Sequence, residues 1–300
     1  MSTHTPVHVS AAPAGPAPVR TAVGTAPAGP APRPAGPRIQ GRQTILRSVR
    51  AEWIKFWSLR STWITSFIAI ALTVLFGAGL TAALGQSEQY QDTAKDLITQ
   101  GLTFGQIVVA VLGALIITGE YSSGQIRSSL AAVPKRGRLL VAKAVVLAIV
   151  SFLLGSLSVF LSWAISKPFI GEHAGSLTDS HYAGYIWGSG LVFAVIALMA
   201  LGLGFLLRST AGAITVIVSL LFVVAVPLQL AANKWDWVYK IIGCLPSTVS
   251  EAISDPFQRT TEWGGQGAQF LTHGQAIAVF AAWALIPLIA AWFVFSRRDA

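Results

Sequence analysis

Six stretches of the chain stay apolar for about the thickness of a bilayer: Thr62–Leu84, Leu102–Thr118, Ala144–Ile165, Ile186–Leu207, Ala211–Ala232 and Gly274–Phe295. A helix crosses hydrocarbon with about 20 mainly apolar residues, within a range of about 17 to 25. Each stretch meets that length, and the second, the shortest, extends by a turn into Ile98–Gly101. The pattern predicts an all-α membrane protein of six transmembrane helices. None of the stretches contains Asp, Glu, Lys or Arg.

Two shorter patterns lie outside the spans. In "RQTILRSVRAEWIKFWSLR", residues 42–60, Ile45, Val49, Trp53 and Phe56 or Trp57 recur at helical spacing, with Arg47, Arg50 and Lys55 on the remaining arc. A basic amphipathic helix with aromatic residues lies in the membrane interface. Glu52 falls near the margin of its apolar face. Between the second and third spans, "QIRSSLAAV" puts Ile126, Leu130 and Val133 on one stripe, with Arg127, Ser128 and Ser129 on other faces. That spacing predicts a short helix lying across the ends of the spans. Pro134 and Gly137 then turn the chain, and Arg138 and Lys143 flank the third span.

The other connections are polar and carry little chemistry. Gly85–Gly101 holds Glu88, Asp92, Lys95 and Asp96, and Ser166–Tyr185 is polar and Gly-rich. In Asn233–His273, the residues Trp235, Val238, Ile241, Ile242 and Leu245 predict a helix too short to cross. Pro246 breaks it, and a second short helix follows around Ser247–Ile253. Such pieces sit at the interface or against protein, because unpaired backbone is not tolerated in lipid. Residues 1–38, rich in Pro, Ala and Gly, lack the apolar content to offset ordering entropy. They read as a disordered tail, with the membrane domain in 39–300.

Composition agrees: 53% of the 300 residues are hydrophobic and 11% charged, against about 25% charged in soluble domains. Mean hydropathy is +0.63. One cysteine, Cys244, excludes an intramolecular disulfide and a cysteine metal site, and the five histidines show no ligand spacing. No cofactor is expected. The net charge of +9 reads as topology rather than nucleic-acid binding. If the N-terminus is cytoplasmic, only Lys95, Lys167, Lys234, Lys240 and Arg259 of the 21 basic residues fall outside. The positive-inside rule then places both termini in the cytoplasm.

The uncharged spans disfavour a coupled secondary transporter, which normally carries an intramembrane carboxylate, and a channel with charged rings. The Gly spacing around Ser189 does not fit an intramembrane serine protease, and no Gly-x-x-x-x-Gly-Lys-[Ser/Thr] loop is present. If the protein moves a solute uphill, the energy enters from elsewhere.

Glu120 is the anomaly. It ends a helix, where the macrodipole favours cations. The sequence offers a local ion pair with Arg127 or Arg138, or a contact with a partner protein.

"GEYSSGQIRSSLAAVPKRGRLLVAK", residues 119–143, and "VRAEWIKFWSLRSTW", residues 49–63, resemble the ABC-2 type permeases, especially those of high-GC Gram-positive bacteria. The resemblance covers about residues 42–298. It implies two permease subunits, as a homodimer or heterodimer, each binding a separate ABC ATPase subunit. Under it, Arg50, Glu52, Trp53 and Lys55 belong to the interfacial connecting helix, and Gln125–Val133 to the coupling helix. Glu120, Gln125, Arg127, Ser128, Lys135 and Arg136 become candidates for ATPase docking. The implied function is the permease of an ATP-driven exporter in the cytoplasmic membrane; the apolar spans favour hydrophobic or amphipathic cargo. Two alternatives stand beside it: a non-transporting sensor or resistance component that recruits a cytoplasmic partner, and the disfavoured secondary transporter.

Overall fold

The computed structural model describes residues 44–87, 96–133, 135–171, 176–178, 180–254 and 271–297. The expected tail, Glu88, Asp92 and Lys95, Pro134, and Asp255–Phe270 lie outside them. Among the described residues all regular structure is helical, and six helices are long and apolar enough to cross a membrane.

Helix α1 (Ile45–Ser58) starts where the Thr44 side chain accepts from the Arg47 amide, and Leu59 breaks it from α2 (Arg60–Leu84). A 3₁₀ turn at Asp96–Thr99 leads into α3 (Leu102–Ser122), followed by the short α4 (Ile126–Ala132). Helix α5 (Arg136–Ile170) is 35 residues long, and α6 spans Ser180–Leu207. The fifth span is not one regular helix. It runs as α7 (Thr210–Val218), a π segment (Ser219–Val223) and α8 (Ala225–Ala232). Short helices α9 (Val238–Gly243) and α10 (Pro246–Ser254) precede α11 (His273–Arg297).

The spans occupy the expected stretches, and the third differs most. Ser166 is not the start of a polar connection but a buried helical residue, and α5 continues through Pro168. The hydroxyls of Ser158, Ser162 and Ser166 donate to carbonyls four residues earlier, on Leu154, Ser158 and Ser162. These serines satisfy themselves along one face of α5 and need no water. Small side chains there also admit α2, where a Cβ on Gly77 would collide with Ser162.

Helix α6 is the central element, packed against α3, α5, α10 and α11. Its Val192, Phe193, Ile196, Ala197, Ala200 and Leu201 are buried. Backbone-close crossings make this density reachable: a Cβ on Gly155 of α5 would meet the Ser189 carbonyl, and one on Gly113 of α3 the Ala197 carbonyl. Without a hydrophobic drive between helices in lipid, close van der Waals approach through small residues is the main source of association. By contrast, α2, α7–α8 and α11 turn much apolar surface outward, including Phe67, Leu75, Val226, Leu230, Ile286 and Phe293.

Both short helical pieces near Pro246 form as the sequence predicts. Helix α10 buries Val249, Ala252 and Ile253 against α6 and α11. The Trp283 indole of α11 donates to the Cys244 carbonyl at 2.8 Å and closes this end of the bundle.

Candidate functional site

At the opposite end of the bundle, four charges meet where α1, α3 and α5 converge. The Lys55 and Lys143 ammonium groups both donate to Glu120 Oε1. Lys143 also donates to Glu52 Oε2 at 2.8 Å. Side-chain exposure is 1% for Lys143 and 3% for Glu120, against 12% for Glu52 and 21% for Lys55. Two lysines and two glutamates sum to zero, the condition under which charges are tolerated out of water. Glu120 Oε2 is buried and accepts no hydrogen bond among the described residues.

The sequence offers Arg127 and Arg138 as local partners for Glu120; the carboxylate is engaged from α1 and α5 instead. Both ammonium groups sit at the C-terminal end of α3 and offset its dipole there. Lys143 is legible afterwards. It shares a helical stripe with Leu139, Leu140, Val146, Leu147 and Val150, all buried, and a lysine in such a stripe requires a carboxylate opposite.

Helix α1 is turned differently from its expected pose. Its inward face holds Ser48, Val49, Glu52, Lys55 and Phe56, while Trp53, Ile54 and Trp57 are exposed. Lys55 therefore does not share the outer arc with Arg47 and Arg50, and the odd position of Glu52 is explained by Lys143. Trp53, Trp57 and Trp63 form a run of ring contacts at 5.7 and 4.7 Å. The Trp63 indole donates to the Trp57 carbonyl at 3.0 Å and fixes the α1–α2 corner.

Lys55 also donates to Ser129 of α4 at 3.4 Å, so one side chain from α1 reaches both the end of α3 and the short helix between spans. Helix α4 buries Ile126 and packs Leu130 and Val133 against the core, as its stripe predicts. Gln125, Arg127, Ser128 and Lys135 are exposed. Arg136 is not part of that open face: its guanidinium donates to the Phe295 carbonyl at 3.1 Å and lies 5.7 Å from the Phe295 ring. Its work is to hold the start of α5 to the end of α11.

Arg208 escapes notice in the sequence. It turns the chain between α6 and α7 with φ 52°, the one positive-φ non-glycine among the described residues, and its guanidinium covers the Tyr121 ring at 5.1 Å. Beside it, the Thr118 and Thr210 hydroxyls lie 2.6 Å apart and link α3 to α7. A non-glycine at positive φ is costly, and the Tyr121 contact is one interaction of the Arg208 side chain that can offset it.

The family model for "ABC-2 family transporter protein" matches residues 48–232, from the inward face of α1 to the end of α8. The chain belongs to the ABC-2 transporter family. All four charged residues of the cluster fall inside the match, and α9, α10 and α11 fall outside it. No curated protein matches the chain. ABC-2 membership makes this a multi-pass membrane component of an ABC transporter, and it identifies the bundle as the permease part. Among the described residues no group of His, Cys, Asp or Glu is arranged to hold a metal.

Proposed function

We propose that the chain is the permease subunit of an ATP-driven exporter, paired with a second permease and driven by a separate ABC ATPase. The observation that carries the coupling is Lys55, which bonds Glu120 of α3 and Ser129 of α4 from α1. A displacement of α4 thus reaches α1 through the Lys55–Ser129 hydrogen bond, and from there two spans through ionic contacts, without relying on loop backbone. In this reading Gln125, Arg127, Ser128 and Lys135 form the docking face. Glu120, Glu52, Lys55 and Lys143 are positioning residues behind it, and Arg136 anchors the start of α5. Arg50 and Trp53 hold α1 at the interface, as exposed basic and aromatic residues do.

The orientation that fits places the α4 end and both termini in the cytoplasm, following the basic residues. Apolar, uncharged span interiors suit hydrophobic or amphipathic cargo.

The test is affinity capture of the tagged chain from its own membranes in mild detergent, with Arg127→Glu alongside. Recovery of a stoichiometric ABC ATPase with the parent chain, and its loss with a normally folded Arg127→Glu variant, is the expected result. Recovery of none across several detergents and crosslinkers would favour a component that recruits some other cytoplasmic protein. Orientation is read separately, by a reporter fused after Ala300 and a cysteine label at Asp92. Opposite sides are expected, and signals from one side would overturn it.

A further inference from the structure

The charge cluster borders a shallow recess that opens to the surface between α1, α2, α3 and α5. Glu52, Lys55, Glu120 and Lys143 line it together with Leu59, Thr62 and Ile116. The last three residues also line a second shallow recess, continued by Ser61, Thr65, Leu112 and Leu115. The two therefore adjoin, as one groove with a charged end and a largely apolar end.

Depth along the helices gives that groove a direction. Leu112 lies eight residues before Glu120, which is about 12 Å deeper at 1.5 Å per helical residue. Lys143 lies seven residues after Arg136, about 10 Å along α5 from its start. Helix α5, with 35 residues, is about 52 Å long and overhangs a hydrocarbon core of about 30 Å. Trp53, Trp57 and Trp63 beside the mouth mark headgroup level, where tryptophan concentrates. The charged end is thus at headgroup depth and the apolar end at acyl-chain depth.

The charge at the mouth is balanced. Of the four ionic groups, Lys55 and Glu52 keep the most exposure, and they sit three residues apart on the same face of α1. They present one ammonium and one carboxylate to an arriving molecule. Glu120 Oε2, buried in the wall, accepts nothing among the described residues. Lys55 already donates to Glu120 and Ser129, and Glu52 Oε2 already accepts from Lys143, so an arriving headgroup adds to these bonds. A headgroup carrying a phosphate and an ammonium complements the pair, whereas a purely anionic headgroup would suit Lys55 but bring like charge against the Glu52 carboxylate.

We propose that the groove between α1, α2 and α3 seats one aminophospholipid of the phosphatidylethanolamine class. The phosphate accepts from Lys55, the headgroup ammonium donates to Glu52, and an acyl chain lies along Thr65, Leu112 and Leu115. The lipid packs against the side chains that join α1 to α3, so its occupancy affects how firmly they hold. Assigning it to the cytoplasmic leaflet rests on the orientation proposed above; the groove and its lipid do not.

The test is native mass spectrometry of the full chain released from nanodiscs containing equal amounts of phosphatidylethanolamine and phosphatidylglycerol, with no ATPase present. One phosphatidylethanolamine per chain is expected, retained over phosphatidylglycerol by about tenfold, which corresponds to about 1.4 kcal/mol. Leu115→Trp fills the apolar end and should release the lipid. Thr65→Phe closes the same end from α2 and serves if Leu115→Trp does not fold. Glu52→Gln removes the negative half of the mouth and should shift preference towards phosphatidylglycerol. Leu230→Trp, on the exposed face of α8, should change nothing. Equal retention of both lipids, phosphatidylglycerol preference in the parent chain, or full retention in the filled variants would overturn the proposal. None of these outcomes depends on whether an ATPase is captured.

Discussion

The two ends of the bundle are held by different physics. At the α4 end, α1 is joined to the spans by two buried charges, Lys143 and Glu120, and two partly exposed ones, Glu52 and Lys55. At the α10 end, the added helices are held by backbone-close packing and by neutral contacts such as Gln106 to Ser250 at 3.5 Å. Ionic contacts act over distance and depend on every member being present, whereas packing depends on shape alone. The α4 end should therefore fail when a charge is removed, and the α10 end when a methyl is added.

The largest effect is expected from Lys143→Met. It leaves Glu120 and Glu52 with a single ammonium, and breaking a buried pair costs about 3–5 kcal/mol. Thermal unfolding of the detergent-solubilised protein reads this as a marked drop. Adding Glu120→Gln restores neutrality and should recover part of it, so a non-additive double-mutant cycle is the signature. Unfolding unchanged from the parent would mean that the cluster does not hold α1.

Gly188→Ala comes next. Its Cβ would run into the Ile253 backbone carbonyl where α6 meets α10, and overpacking of this kind costs about 1–3 kcal/mol. The matched substitution at the other end is Gly119→Ala, beside Glu120, where the added Cβ meets nothing within 4 Å. Alanine is the better helix former by up to about 1 kcal/mol, so Gly119→Ala should be neutral or slightly stabilising in the same melt. Equal losses from both glycine variants would erase the steric difference between the ends.

Ser250→Ala should have a smaller effect. It removes the Gln106 contact together with the hydroxyl's own bond to the Ser247 carbonyl, and costs about 0.5–1.5 kcal/mol, the net worth of a typical hydrogen bond. Proteolysis of the region around α9 and α10 is the more sensitive readout. A loss as large as that of Lys143→Met would show that the α10 end also relies on a polar keystone.

The spans, α4 and the pair α9–α10 are legible in the sequence because lipid exacts a long apolar run and a turn exacts Pro or Gly. The facing of α1 is not legible from hydrophobicity. At an interface apolar side chains can be stable either in the core or on the outside, and Trp53 and Trp57 are exposed while Phe56 is buried in the core. Glu52 and Lys55 can turn inward only because Lys143 and Glu120 meet them there, and that meeting joins residues up to 91 positions apart. The π segment at Ser219–Val223 is partly legible: Pro227 has no N–H to offer the Val223 carbonyl four residues earlier, so an irregular turn just before it is where a proline disturbs a helix, although the π form itself is not written in the sequence.

The length of α5 has a mechanical reading. Its first turn is tied to α11 by Arg136, its second and third turns to α1 and α3 by Lys143, and its last turns carry Lys167 over the Trp163 ring. No loop interrupts it between those points. It behaves as a single beam with a pivot near one end, so a tilt of only about 5° about Lys143 sweeps its far tip by several ångströms, given about 1.5 Å of rise per residue. A small adjustment among four side chains at one membrane surface is thereby geared up into a visible movement at the other.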